Sequence, residues 1–385
     1  MRSRVRGRRI HIAGSIPTDA VHSSREAVEA ARQFVAALVP ELVRRGACFV
    51  VPVDAEKVRP VDGLPICFDW LVWNALHDSL GLRPADAIDP LAIGVLHHKS
   101  EDQVPGECHR LWDALRGSDL VRLESAASWN MASKRMETQA RWGDILITLG
   151  GSEGVLYLAN LYHDAGKPVI PLNLPICSEF EGSRKLFNFG LASQIAPKLF
   201  QAGGVGAHGW LNRINFRTTK PVADRVAEVV ALLEALAPPK AFAVRLLNSA
   251  HPDFQDVENQ FTDVVKPVLE EELGYQLVAV DGRQPLEHAR LDQEIFAKLH
   301  HSSFVVADIT GLRPNCFLEL GYALGRSLPT MMMGKEGSDH PFDLFTFSGL
   351  FWSPADALDV RKRHFREHWA AIRTRPPLVS DEPLI

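Results

Sequence analysis

The chain has 385 residues, enough for two or three domains of ordinary size. Its 46% hydrophobic and 23% charged content is that of a folded globular protein and excludes disorder, collagen-like repeats and a membrane bundle. With 42 Lys and Arg against 47 Asp and Glu, the formal charge of -5 leaves no cationic surplus for neutralising phosphates, so no nucleic-acid partner is expected.

The opening MRSRVRGRR carries five arginines, but the apolar stretch behind it runs only from Ile10 to Ala13 before Gly14, Pro17 and Asp19 interrupt, which is too short for a signal sequence. No window reaches the roughly 18 apolar residues of a spanning helix, so no membrane partner is expected. Cys48, Cys67, Cys108, Cys177 and Cys316 are odd in number and scattered, without a CxxC pair, which argues against a disulfide framework or a cysteine zinc knuckle. A cytoplasmic location follows as the expectation. His97, His98, Cys108 and His109 carry metal-ligating chemistry but lack a helical i, i+4 pair, and no metal site is predicted.

Apolar runs at Ile10 to Ala13, Cys48 to Val53, Leu91 to Leu96, Ile145 to Leu149 and Pro168 to Leu172 read as strands. Helical patterns separate them at Arg25 to Arg45, Glu107 to Leu115 and Met131 to Trp142, and this alternation implies parallel strands joined by crossover helices. From Pro221 to Leu236 the apolar residues keep a 3.6 period, with Thr219 as the expected cap and Pro221 in the first turn. Pro238-Pro239 ends that helix and marks the domain boundary, giving domains over 1–237 and 240–385.

Beyond the boundary the alternation starts afresh. Strand Ala241 to Leu246 leads to helix Phe254 to Leu273, strand Gln276 to Val280, helix Glu287 to His301, strand Phe304 to Ala307, helix Asn315 to Arg326 and strand Pro329 to Met333. The expected fold class is therefore α/β with two doubly wound, Rossmann-like or flavodoxin-like parallel-sheet domains. Phe365, Trp369 and Ile372, spaced i, i+4, i+7, predict that the basic helix around Arg361 to Arg375 docks by its apolar side.

Two stretches carry candidate chemistry. In the second domain, Asp308 falls where a strand delivers its last residue, Gly311 and Pro314 form a turn, and Asn315 and Glu319 lie four apart on one helix face. Such a face can surround a small ligand with a carboxylate, an amide and first-turn N–H groups; the spacing alone favours a capped helix with a solvated acid. In the first domain, Gly14-Ser15 and Gly150-Gly151-Ser152-Glu153-Gly154 follow strands. Glycines there either form a plain turn or let backbone N–H groups approach a phosphate. Gly203 to Gly209 has no preceding strand and reads as a loop.

The run ADITGLRPNCFLELGYALGRSLPTMMM, with DFQDVENQFTDVVKPVLEEELGY before it, resembles the nucleoside 2-deoxyribosyltransferase-like and TIR-like superfamily over about a quarter of the chain. The resemblance implies that Glu319 attacks, or stabilises charge at, the anomeric carbon of a ribose while the base departs, with Asp308 and Asn315 beside it. Arg245 to Phe254 is longer than the usual Pro-Phe turn of that superfamily. The run from Arg135 to Gly154, followed by HDAGKPVIP, resembles the SLOG superfamily, which joins Lonely-Guy phosphoribohydrolases to nucleotide sensors. That resemblance implies a nucleotide site made by Gly14, Ser15, Arg135, Gly150, Gly151, Ser152, Glu153 and Gly154. Leu158 stands where the hydrolases carry their glutamate, so the first domain is expected to bind a nucleotide without cleaving it. Together the resemblances imply a bacterial defence effector with a small-molecule nucleotide ligand, no required cofactor, NAD as a candidate substrate and homo-oligomeric assembly. A deoxyribosyltransferase and a non-catalytic nucleotide binder that signals by assembling are the alternatives.

Overall fold

A computed structural model of the protein describes residues 3–373 and 375, apart from 88, 98, 127–130, 193, 195, 218–219, 281–289 and 339–348. The chain divides into two compact units between Ala237 and Pro238. Each unit is a parallel sheet with helices between its strands, so the α/β, Rossmann-like reading of the alternation holds in both.

The first unit has six strands: β1 (Arg9–Ser15), β2 (Cys48–Pro52), β3 (Ala92–Leu96), β4 (Val121–Ser125), β5 (Ile145–Gly150) and β6 (Val169–Leu172). Their order is β4-β3-β2-β1-β5-β6, and every pairing is parallel. Strand side chains alternate between two layers of core. Ile10, Ile12, Phe49, Val51, Ile145, Ile147 and Leu149 pack on one face, where Arg25–Arg44 and Val222–Ala235 bury their apolar sides. Ala13, Leu146 and Val169 meet Val155, Leu158, Ala159 and Tyr162 on the other. Burial on both faces is why these strands read as unbroken apolar runs. β4 does not: as an edge strand it alternates Val121 and Leu123 with Arg122 and Glu124, and no strand was expected there.

The second unit has β7 (Lys240–Val244), β8 (Gln276–Ala279), β9 (Phe304–Asp308), β10 (Thr330–Lys335) and β11 (Leu350–Trp352), in the parallel order β11-β10-β9-β7-β8. Counted within the unit this is 2-1-3-4-5, the flavodoxin-like arrangement. The three-residue β11 was not foreseen. Phe365, Trp369 and Ile372 of helix Leu358–Arg373 are buried in this unit's core, as their spacing predicts.

Three boundaries differ from expectation for local reasons. The segment predicted as one helix from Phe254 is α-helical only to Gln260 and continues in wider turns with i to i+5 bonds such as Leu273 N–H to the Val268 carbonyl, around Pro267, which has no N–H to give. Pro221 itself is the cap of helix Val222–Ala235, and Thr219 lies outside the described residues. Helix Leu291–His300 begins after Arg290, and the expected start at Glu287 also lies outside them.

Candidate functional site

Strand order reverses at β1/β5 in the first unit and at β7/β9 in the second, and a doubly wound sheet opens a crevice at the carboxyl ends of its strands where that happens. Both sequence-predicted stretches fall at these reversals. Ser15 pairs with Gly150 at the ends of β1 and β5, and Val244 pairs with Ala307, one residue before Asp308, at the ends of β7 and β9.

In the second unit, Asp308 is fully buried. Its Oδ1 accepts the Thr310 N–H at 2.9 Å and its Oδ2 accepts the Trp352 indole N–H at 3.0 Å. Thr310 Oγ1 in turn accepts the Lys335 N–H at 2.9 Å, and Lys335 Nζ bridges Asp253 and Asp256 at 2.6 Å each. Burial pushes the Asp308 carboxyl up to about 6, against the pull of the Thr310 and Trp352 bonds. Asp308 thus ties the ends of β9, β10 and β11 together, with one accepted bond on each oxygen.

The turn that follows is tight. Gly311 has φ +81, a backbone that suits glycine, and a Cβ there would sit 3.0 Å from His251 Nε2 in the loop after β7. Helix Pro314–Gly325 then starts with Pro314 in its first turn and Arg313 as the flanking residue. This corrects the expected start at Asn315: the amide lies inside the first turn, exposed, and does not cap. Glu319, one turn later, is half-buried. Burial raises its carboxyl to about 7, opposed by the nearby Arg313 charge, and it forms no hydrogen bond or ion pair with any described residue. A partly desolvated carboxylate with no partner among the described residues is a candidate functional group.

The first unit's crevice has a rigid floor. Gly150 and Gly151 have φ +58 and +76, and the Gly151 N–H reaches the Ser15 carbonyl at 2.7 Å. Gly182, at φ +48, lies so close that a Cβ would overlap the Gly150 and Gly151 carbonyl oxygens, and a Cβ on Gly14 would overlap that of Leu149. Ser183 Oγ fixes the neighbouring helix Gly182–Leu191 to the Thr148 carbonyl at 2.8 Å. Above this floor Ser152, Glu153 and Gly154 are exposed at the start of helix Glu153–Asp164, where nothing lies within 4 Å of a Cβ on Gly154. Leu158 is buried in the core, so this turn carries no inward acid.

Arg135 reaches not an open crevice but Asp54, with which it forms an ion pair. Around that pair the fold assembles a cluster that the sequence did not reveal. Asp54 follows β2, and His97, just past β3, brings Nε2 to 3.7 Å from Asp54 Oδ1. Cys67 bridges to Ser15, and Asp69 opens the next helix, Asp69–Asp78. Burial favours the neutral form of Asp54, but Arg135, the Ala55 N–H and His97 together hold its carboxyl below the usual range. Asp69 goes the other way: burial lifts it to about 7, against Arg135 and with the help of Asp54 and Glu56. Burial also lifts the Cys67 thiol to about 12, which removes it as a nucleophile at neutral pH. Among the described residues no group of three or more His, Cys, Asp and Glu could hold a metal ion.

Residues 5–233, more than half of the chain, match the family model described as ATP nucleosidase Cap17-like, N-terminal. The chain belongs to this family. No curated protein matches it. The Cap17-like region coincides with the first unit, so the glycine floor and the Asp54–Arg135 cluster both lie within it, while Asp308 and Glu319 lie beyond it.

Two stability measurements follow from these contacts. Gly182→Ala forces a left-handed backbone and two carbonyl overlaps, and should cost about 2 kcal/mol or more in denaturant unfolding, whereas Gly154→Ala, in open space within a helix, should be neutral or stabilising by up to about 1 kcal/mol. For Asp308, whose folded value is raised, the favourable contribution is present at pH 4 and is lost as pH rises through about 6. The stability of the wild type relative to Asp308→Asn should therefore fall by roughly 2–3 kcal/mol between pH 4 and 7. A difference independent of pH would mean that Asp308 is ionised throughout.

Proposed function

We propose that the protein is a nucleotide N-glycosidase in which the second unit releases the base and the Cap17-like unit holds a phosphorylated nucleotide. The observation that carries the reading is Glu319: a half-buried carboxylate with no partner among the described residues, on the helix that follows β9, where the strand order reverses. Breaking an N-glycosidic bond builds positive charge at the anomeric carbon, and one close carboxylate stabilises that oxocarbenium ion or traps it until water completes hydrolysis. Ionised Glu319 serves that role, and Asp308 acts behind it by fixing the turn from which the helix starts. The family description, ATP nucleosidase, supports an adenine nucleotide as substrate, with NAD as a second candidate.

In the first unit the glycine turn beneath an open helix start suits a phosphate, since first-turn N–H groups and the helix dipole both favour an anion there. The SLOG-like sequence of this segment supports a sensor role, and a sensed nucleotide that activates depletion of another fits a defence effector. A homo-oligomer is part of the same proposal.

A second reading places cleavage in the Cap17-like unit. It is favoured by the family match over residues 5–233 and by Asp69, which burial keeps half-protonated near pH 7 and so able to donate a proton to a departing base. The two readings separate by mutation. Purified protein incubated with ATP, NAD and nucleosides should release free base, detected by mass spectrometry. Glu319→Gln should lower that rate about 100-fold or more without unfolding the chain, while Asp69→Asn should leave it within a few-fold. The opposite pattern would transfer the reaction centre to the first unit.

A further inference from the structure

We propose that His251 donates a hydrogen bond from Nε2 to the departing base at the β7/β9 reversal, which makes it a catalytic residue for bases that leave with negative charge. The proposal rests on the reading of Glu319 given above and adds the group on the leaving side of the bond.

The loop after β7 holds this ring in place. The His251 N–H reaches the Asn248 carbonyl at 3.0 Å, and the His251 carbonyl accepts the Phe254 N–H at 3.0 Å. Nδ1 accepts the Asp253 N–H at 3.2 Å, and the Asp253 carboxylate is anchored to the end of β10 by Lys335 at 2.6 Å. That carboxylate lies 3.8 Å from Nδ1, too far for a hydrogen bond. A backbone N–H can only donate, so Nδ1 offers its lone pair and the ring carries its proton on Nε2. No described residue accepts from Nε2.

Position decides what that N–H can meet. Nε2 lies 3.0 Å from where a Cβ on Gly311 would be, so the loop after β7 and the turn after β9 close on each other across the reversal. His251 is partly exposed there, and the glycine leaves its ring room. The start of the next helix comes to the same edge: Cys316 Sγ reaches the carbonyl of Arg245, the residue after β7, at 3.7 Å. Glu319 is three residues beyond Cys316 and is therefore its neighbour on the helix surface. A carboxylate on the helix after β9 and a fixed N–H donor in the loop after β7 thus flank one reversal. Hydrolysis of an N-glycoside uses both. The C1′–N bond breaks with its electron pair on the base; the carboxylate stabilises the sugar cation and the donor stabilises the base anion. Water then adds its hydroxyl to the anomeric carbon and its proton to the base, while His251 keeps its own proton. Adenine departs as an anion and needs the donor. The nicotinamide of NAD is bonded as a pyridinium, departs neutral and needs none.

The test is steady-state release of adenine from ATP and of nicotinamide from NAD by the full-length protein. His251→Ala should lower kcat for adenine release about 100-fold, the scale of one donor lost from a developing anion, and lower nicotinamide release by no more than about threefold. His251→Gln should recover about tenfold of the loss, because its amide N–H can reach where Nε2 did. Adenine release within about threefold of wild type in His251→Ala, or an equal fall for both bases, would overturn the proposal. A wild type that frees nicotinamide but not adenine would overturn it too. Where NAD is not cleaved, recovery by His251→Gln decides, and its absence overturns the proposal. If the wild type frees neither base, the reading of Glu319 fails by itself, and equilibrium titration with adenine decides. An affinity weaker by about tenfold or more in His251→Ala supports the donor, and equal affinity, or no binding to the wild type, overturns it.

Discussion

Both units depend on one constraint: a sheet whose strands all run parallel must return the chain by crossovers, and where the crossovers change direction the carboxyl ends of two adjacent strands are left uncovered. In the first unit that place is the Ser15–Gly150 pair, and in the second it is the end of β9 beside β7. The core of each unit lies on both faces of its sheet, formed by side chains that alternate along every central strand. Reactive groups are therefore confined to the strand ends, because the faces are closed by apolar packing. The helix positions follow from the same alternation.

Within the second unit, two carboxylates eleven residues apart, Asp308 and Glu319, have different surroundings. Asp308 is fully buried, accepts from Thr310 and Trp352 and through Thr310 is linked to Lys335; it spends its charge on holding three strand ends in register. Glu319 is only half-buried, and its carboxylate has no hydrogen bond or ion pair among the described residues. On the proposed reading, removing Asp308 should loosen the strand ends, and removing Glu319 should leave them intact and the protein inert. In the first unit Asp54 is paired with Arg135, whereas Asp69, which has no ion pair among the described residues, is pushed by burial toward its neutral form.

What the amino-acid sequence made legible is what is local. Central strands such as Ile145–Gly150 declare themselves because burial on both faces leaves no polar residue to interrupt them, and Glu319 is visible because its turn, helix start and carboxylate are consecutive in the chain. β4 was missed because an edge strand keeps one side for solvent and carries Arg122 and Glu124 there. Asn315 suits a cap by its amide, but Pro314 before it suits the first helical turn, and the helix starts there. The Asp54, Cys67, Asp69, His97 and Arg135 cluster was out of reach for a different reason: it gathers the ends of three strands, and Arg135 meets Asp54 across 81 residues of chain. No spacing rule connects such positions.

The central claim is that Glu319 acts as an ionised carboxylate whose proton affinity burial has raised to about 7. The most direct measurement is the pH dependence of kcat/KM for base release between pH 5.5 and 8.5, since that profile reports the essential ionisations of the free enzyme. The account predicts a rate that rises with pH, bends near 7 and then levels off. A rate that falls as pH increases through 7 would make the essential group an acid, and a flat profile would show that no carboxylate titrating in this range is needed; either result contradicts the account.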